Sequence, residues 1–172
     1  SFGTKAVARR MVEWSSTEEL VSYLRTEGKQ HLTQRWTILG EGCNTLFTAD
    51  YSGTIIRSTA KGIEIAEEND NEVMVRAAAG EVWDDVVAWS TERGLWGAEN
   101  LSAIPSSVGA SVVQNIGAYG VEAKDIVERV EVVRLDTLQT EFFSAADCHF
   151  GYRDSIFKGK EAGKVIVTAV YY

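Results

Sequence analysis

The central segment of this chain reads IPSSVGASVVQNIGAYG and runs from Ile104 to Gly120. It contains the only proline of the chain and no charged side chain. Surface connections usually carry Lys, Glu, Asp or runs of turn residues, whereas this segment offers backbone N–H groups, small hydroxyls and the amides of Gln114 and Asn115. Its composition predicts a rigid backbone that comes close to a flat, polar or anionic group, which is the chemistry of a cofactor site.

The composition is that of a globular protein. With 172 residues, 45% of them hydrophobic and 24% charged, the chain is long enough for one core or for two small lobes. Its formal net charge of −8 argues against nucleic-acid and membrane partners, so any bound phosphate must be held by local backbone geometry. No apolar run approaches the roughly 20 residues that span a bilayer, and no signal-peptide pattern opens the chain. We therefore expect a cytoplasmic protein.

The cysteines and histidines are isolated in the sequence. Cys43 and Cys148 do not form a CxxC pair, and together with His31 and His149 they lack the spacing of a zinc site. We therefore expect no metal centre, and we predict that both cysteines are buried free thiols.

Three segments have helical patterns. The first covers residues 17–27, follows an S-x-x-E capping box and is expected to stop at Gly28. The second covers residues 82–92. A third, short helix is expected to start at Ser106 or Ser107, just after the proline, with its positive end facing an anion.

Strand patterns alternate with these helices. Adjacent strands separated by polar turns indicate antiparallel pairs, so the predicted fold class is α+β. One set of strands closes and another begins near residues 60–63, which predicts a boundary there. The predicted strands cover residues 6–14, 36–39, 53–57, 63–66, 73–77, 126–136, 141–144 and 165–172.

A glycine turn, GEGCN at residues 40–44, directly follows the strand predicted at 36–39. The dinucleotide motif G-x-G-x-x-G does not fit, because Thr45 occupies the third glycine position and the next residues do not open a helix. Successive N–H groups around Gly40 and Gly42 are still able to form an anion nest. A phosphate-cradling turn therefore stays as a hypothesis.

A third motif, FGYRDS at residues 150–155, places Arg153 among aromatic residues after a glycine. In order and spacing, this motif, the turn at 40–44 and the segment 104–120 resemble motifs of the bacterial UDP-N-acetylenolpyruvoylglucosamine reductase (MurB) family. The resemblance covers essentially the whole chain. It implies an α+β FAD-binding fold of the vanillyl-alcohol-oxidase (PCMH) type, with a small α/β lobe at residues 1–62 and a larger α+β lobe at residues 63–172.

The resemblance also implies an activity in peptidoglycan precursor synthesis. NADPH would reduce FAD, and the reduced flavin would give hydride to the enolpyruvyl group of UDP-N-acetylglucosamine enolpyruvate, which forms UDP-N-acetylmuramate. No histidine or cysteine is suited to tether the flavin, so FAD should be bound non-covalently.

The resemblance assigns roles to individual residues. Arg153 matches the catalytic arginine of the family, which stabilises negative charge on the carboxylate side of the enolpyruvyl group. The alternative for Arg153 is a structural ion pair with a nearby acid. The residues implied to lie along the FAD pyrophosphate are Gly40, Glu41, Gly42, Cys43 and Asn44. The residues implied to line the flavin and adenosine portions are Ile104, Pro105, Ser111, Gln114, Asn115, Gly117, Ala118 and Tyr119.

The chain departs from the family pattern in three ways. Cys43 stands where the family usually has serine, which removes a hydroxyl but leaves the backbone donors. Ser106 replaces a glycine, which is unfavourable if that position needs a positive φ. The family also continues into a substrate domain that supplies a serine proton donor and a glutamate, and no serine or glutamate of this chain matches them. We therefore expect an FAD-binding part with little turnover of its own.

Two other interpretations stay open. The first is a non-catalytic nucleotide-binding or interaction module that kept the fold and lost the flavin. The second is another oxidase or dehydrogenase of the same flavin fold, although Arg153 and the run at residues 114–120 argue against it.

Overall fold

Two main β-sheets and a two-stranded hairpin form the framework of residues 3–172, the part of the chain that the computed structural model describes. The strands are β1 (Ala8–Trp14), β2 (Trp36–Ile38), β3 (Tyr51–Ser58), β4 (Ile63–Glu68), β5 (Val73–Ala78), β6 (Gly117–Ala118), β7 (Val121–Glu122), β8 (Arg129–Arg134), β9 (Thr140–Ser144) and β10 (Val165–Tyr171). The α-helices are α1 (Thr17–Tyr23), α2 (Lys29–Leu32), α3 (Trp83–Glu92) and α4 (Val108–Gln114).

The N-terminal sheet has three parallel strands in the order β1-β3-β2. The helical residues 17–32 connect β1 to β2, which lie on opposite sides of β3. The central strand β3 is the most buried of the three, with Ile56 fully enclosed. This sheet carries the glycine turn, which begins directly after β2.

The second sheet has five antiparallel strands in the order β4-β5-β10-β8-β9. Every residue of the central strand β10 is buried. Helix α4 packs against β5 and β10, and Trp83 of α3 joins the same hydrophobic core with its indole Nε1–H donating to Leu101 O at 2.8 Å. The mixture of helices with a largely antiparallel sheet confirms the predicted α+β class.

The predicted helix stop at Gly28 is wrong. Gly28 has helical dihedral angles (φ −59°, ψ −38°) and lies at the end of a π-helical turn, Leu24–Gly28, that leads directly into α2. A Cβ at this position would lie 3.0 Å from Leu24 Cδ2. The glycine therefore serves close packing inside a continuous helical segment and does not terminate it.

The start of α1 is confirmed. Ser16 Oγ accepts a hydrogen bond from Glu19 N at 3.2 Å, as an N-cap should. The Glu19 carboxylate returns to Ser15 N at 2.7 Å, one residue before the position that an ideal capping box would use. No helix among residues 3–172 is long and apolar enough to cross a membrane.

Candidate functional site

One cavity of about 910 Å³ brings together residues of all three sequence motifs. A volume of this size suits a ligand or cofactor. The predicted site residues that line the cavity are Gly40, Glu41, Gly42, Cys43, Asn44, Ile104, Pro105, Gln114, Gly117 and Arg153. The rest of the wall includes β2, the first half of β10 and Trp14, none of which the sequence motifs indicated.

The glycine turn and α4 touch at a position where only glycine fits. A Cβ on Gly40 would lie 2.9 Å from Ala110 Cβ and 2.9 Å from Ser107 Oγ. Real Cβ atoms almost never approach so closely, and Ala110 has no side-chain freedom with which to move aside. The two segments, far apart in the sequence, therefore form one continuous wall of the cavity.

The backbone N–H groups of the turn lie in a segment that lines the cavity. Within residues 3–172, none of the N–H groups of residues 40–44 donates to a protein acceptor. Gly42 adopts φ +69°, the left-handed conformation that anion nests use. The turn thus has the donors that an anionic group such as a diphosphate requires, and this structural feature fits the phosphate-cradling hypothesis.

Cys43 is half-exposed, so the prediction that both cysteines are buried is wrong for this residue. It lies in the open turn, where its Sγ approaches Glu41 O at 3.8 Å, and it therefore adds only a weak donor beside the backbone amides. Cys148 is fully buried as predicted, and burial raises the pKa of its thiol to about 12.

Helix α4 starts where the sequence predicted, with Ser107 as its N-cap. The N–H groups of Val108 and Gly109, however, donate to Glu81 O and Ala79 O, both at 2.9 Å. The expectation that this helix end faces an anion is therefore wrong for these two groups. They dock the helix onto the connection between β5 and α3, because buried N–H groups without an intrahelical partner need another acceptor.

Ser106, which replaces the glycine of the family pattern, is accommodated without strain. It is buried and is not one of the residues with positive φ. Its carbonyl accepts from Trp83 N at 2.9 Å, and its Oγ donates to Ser107 O at 3.0 Å. Serine therefore fits this position without an unfavourable backbone conformation.

The loop that carries Ile104 and Pro105 into the cavity wall is anchored by Asp84. Its carboxylate accepts from Ala103 N at 2.7 Å and from Ser102 Oγ at 2.8 Å. The anchor holds Ala103 in a left-handed conformation (φ 60°), which a non-glycine residue adopts only when its surroundings fix it. The hydrogen bond from the Ala103 N–H lowers the pKa of Asp84 most, and the bond from the Ser102 hydroxyl lowers it further.

Replacing Asp84 by Asn should lower the stability of the protein at pH 7 and weaken its dependence on acid pH. Because the pKa of Asp84 is depressed in the folded state, its stabilisation is present above the unfolded value of about 3.9 and is lost as the pH falls through the lower folded value. Thermal unfolding at pH 7 and at pH 2 measures both effects. In the matched control Asp85→Asn, at an exposed neighbour, neither should change.

Arg153 occupies a strained position in a tight turn. Gly151 and Asp154 exchange two backbone hydrogen bonds, at 3.0 and 3.1 Å, and Arg153 between them has φ 52°. A left-handed conformation is unfavourable for arginine by roughly 1 kcal/mol or more. Such strain persists where the surroundings over-determine it, which is common at functional sites.

Two backbone carbonyls orient the Arg153 guanidinium. It donates to Gly117 O at 2.6 Å and to Asn115 O at 3.1 Å, and a Cβ at Gly117 would lie 2.9 Å from its Nη1. The nearest acid, Glu122, is 3.9 Å away and has a closer partner in Lys124. The hydrogen bonds to the two carbonyls are shorter than this ion pair, so they set the orientation of the guanidinium, and part of its donor capacity remains for a ligand.

Four predicted site residues lie outside the cavity wall, and their contact with a cofactor remains a prediction. Ser111 is buried and donates to Val108 O at 2.7 Å. Asn115 is also buried, and its Nδ2 donates to Gly151 O at 2.8 Å, which fixes the Arg153 turn to the end of α4. Tyr119 is 90% exposed on the hairpin β6-β7, and Ala118 precedes it.

Lys158 was not singled out in the sequence. Its Nζ donates to Arg153 O at 2.7 Å and to Gln114 Oε1 at 3.3 Å. It thereby ties the strained turn to an amide of the cavity wall. The only available signal was its position five residues after Arg153, which does not by itself indicate a role.

Comparison with known proteins identifies the family of the fold. Residues 8–138 match the family described as FAD binding domain. Over all 172 residues, the chain is 43% identical to UDP-N-acetylenolpyruvoylglucosamine reductase of Bacteroides fragilis (strain YCH46) and covers 51% of that protein. It is 42% identical to the reductase of the same name from Neisseria gonorrhoeae (strain ATCC 700825 / FA 1090) and covers 49% of it. The chain thus spans about half the length of the curated relatives it matches.

Solved structures with a similar fold include a reductase of the same kind and a cholesterol oxidase. The crystal structure of UDP-N-acetylenolpyruvylglucosamine reductase (MurB) from Thermus caldophilus aligns with 93% of this chain and 53% of its own, with a TM-score of 0.69 and 26% identity. A cholesterol oxidase from Brevibacterium sterolicum, a His121Ala mutant, aligns with 94% of this chain and 33% of its own, with a TM-score of 0.68 at 13% identity. The second likeness bears on the fold alone.

Proposed function

The chain belongs to the FAD binding domain family, and from that premise we propose that it is the FAD-binding part of a UDP-N-acetylenolpyruvoylglucosamine reductase. In this proposal the whole protein uses NADPH to reduce UDP-N-acetylglucosamine enolpyruvate to UDP-N-acetylmuramate, a cytoplasmic step of peptidoglycan precursor synthesis. The lobes are residues 1–62 and 63–172, and the cavity between the two main sheets receives FAD without a covalent bond.

One observation carries the proposal. Gly40 approaches Ala110 and Ser107 so closely that two glycine-bearing, almost uncharged segments form a single cavity wall. At that wall, the N–H groups of residues 40–44 have no protein acceptor within residues 3–172. Free amide donors at a point of close backbone approach suit a dinucleotide diphosphate.

The proposed roles follow from the chemistry of each part of the wall. The N–H groups of residues 40–44 hold the diphosphate, and Ile104, Pro105 and Gly117 contribute an apolar, closely packed border for the ring systems. FAD, when bound, would supply hydride transfer from NADPH to the enolpyruvyl group. Ser111, Gln114, Asn115, Ala118 and Tyr119 belong to the same proposed site, with Asn115 acting through the Arg153 turn.

Arg153 is the proposed catalytic residue. Its guanidinium is already oriented by Asn115 O and Gly117 O, so it binds a carboxylate without first losing its own side-chain freedom. When hydride adds to the β-carbon of the enolpyruvyl double bond, negative charge develops on the α-carbon and its carboxylate, and a fixed cation at that carboxylate would stabilise it. Since it is among the few charged groups of the cavity wall, little competes with it for the anion.

We expect FAD to bind this chain and to give the shifted visible absorption band of a protein-bound flavin. Adding NADPH without oxygen should then bleach that band, because hydride transfer reduces the flavin. Titration in a spectrophotometer measures both steps. No FAD binding at any practical concentration would favour the non-catalytic module. A bound flavin that dithionite bleaches and NADPH does not would show that this part of the protein alone does not accept hydride from NADPH.

A further inference from the structure

Arg57 links the glycine turn to the N-terminal sheet. It lies on β3, directly before Ser58, which lines the cavity. Its Nη2 is 3.2 Å from Glu41 Oε1 in the turn, and its Nη1 is 3.6 Å from Glu13 Oε1 on β1. The parallel register of β1 and β3 pairs Glu13 with Arg57, so the guanidinium sits between two carboxylates.

The charges of the cavity wall raise a physical problem at Glu41. Among the described residues that line the cavity, Glu41 is the only acid and Arg153 the only base. A carboxylate in a turn that receives a diphosphate would repel it. With a net charge of −8, the chain as a whole does not attract an anion either. The ion pair with Arg57 is the only one that Glu41 makes within residues 3–172.

We propose that Arg57 is the charge-compensating, positioning residue of the phosphate-binding turn, and that it makes an acid at position 41 compatible with a bound diphosphate. The proposal rests on the proposed function, since it assumes that a nucleotide diphosphate binds at residues 40–44. Arg57 does not line the cavity itself and would act on the turn through its ion pair with Glu41. The pair with Glu41 offsets the negative charge of the turn and leaves its N–H groups unused.

The environment of Arg57 supports a directed role. Its Nε is buried and has no acceptor within residues 3–172, so the two carboxylates alone set the orientation of the guanidinium. Arginine tolerates such an arrangement because its planar group stays charged and presents several donors at once. Removing Arg57 would leave Glu41 uncompensated at the cavity wall.

Arg57→Gln, Glu41→Gln and the double variant form a cycle that tests the proposal. Calorimetric titration with ADP and with FAD measures diphosphate affinity. Arg57→Gln should weaken ADP binding by about fivefold, as expected for loss of a partly exposed ion pair. Glu41→Gln should strengthen it by a similar factor. The double variant should recover most of the affinity that Arg57→Gln loses, because the net charge of the turn returns to its original value.

Salt and a matched control separate charge from misfolding. Raising the ionic strength from about 0.05 M to about 0.5 M should reduce the difference in ADP affinity between Arg57→Gln and the unmodified chain, because salt screens the repulsion between Glu41 and the diphosphate. Arg129→Gln is the control, because Arg129 also has a carboxylate at 3.2 Å, in Glu67, and a buried Nε without an acceptor. Arg129 is not part of the cavity wall, and its loss should leave ADP affinity unchanged.

Two results would overturn the inference while the proposed function stands: an Arg57→Gln variant that binds ADP and FAD like the unmodified chain, or a double variant that binds as weakly as Arg57→Gln. The second result would mean that Arg57 only holds the fold. If the unmodified chain binds neither ligand, the proposed function itself fails, and the two failures are thus distinguishable.

Discussion

Gly40→Ala should reduce FAD affinity by at least about tenfold and lower the free energy of unfolding by about 1–3 kcal/mol, the range typical of an overpacked contact. The added methyl group would collide at 2.9 Å with Ala110 Cβ and Ser107 Oγ, so the turn and α4 must separate. Gly40 is not one of the glycines with positive φ, so the backbone itself tolerates alanine and the effect comes from the collision. Flavin fluorescence titration and thermal unfolding measure the two quantities.

Substitutions at two further glycines serve as controls for this prediction. At Gly159 the nearest atom to an added Cβ is Ile156 O at 3.9 Å, so Gly159→Ala should change neither quantity. Gly42 has φ +69° with only Leu39 Cδ1 within reach, at 3.9 Å, so Gly42→Ala adds backbone strain without a collision. If Gly40→Ala retained full FAD affinity, the contact between the turn and α4 would not form the cofactor site.

Local signals explain which elements could be predicted from the sequence. The capping pattern at Ser16 predicts the start of α1, and apolar runs predict the strands of both sheets. The start of α4 after Pro105 was also predicted correctly. The end of the first helix was not predicted correctly. In sequence, a glycine that packs against Leu24 cannot be distinguished from a glycine that ends a helix.

The features of the site that could not be predicted depend on tertiary contacts. The N–H groups at the start of α4 were assigned to an anion, yet Ala79 and Glu81 use two of them. The ion pair of Glu41 with Arg57 joins a turn to a neighbouring strand, and no pattern of spacing indicates it. Family motifs led to residues 40–44 and Arg153, but the distances that give each residue its chemistry come from packing.

In the proposed full-length reductase, Arg153→Ala should leave FAD bound and slow the oxidation of reduced flavin by UDP-N-acetylglucosamine enolpyruvate by about 10²–10³-fold. Loss of one preorganised donor to developing negative charge has an effect of this size. Arg153→Lys should be slowed almost as much, because an ammonium group cannot donate simultaneously to Asn115 O, Gly117 O and a carboxylate with the planar geometry of a guanidinium. Stopped-flow absorbance of the pre-reduced enzyme measures the rate.

The strained backbone of Arg153 allows a variant that distinguishes a catalytic role from a structural one. A residue kept at φ 52° for stability alone should be replaceable by glycine, which adopts that conformation freely. Arg153→Gly should therefore retain FAD and a folded turn, yet lose the half-reaction with the enolpyruvyl sugar as Arg153→Ala does. Arg129→Gln, away from the cavity wall, serves as the control and should react normally. An unchanged rate in Arg153→Ala or Arg153→Gly would remove Arg153 from the mechanism, and its strained turn would then serve only to close the end of α4.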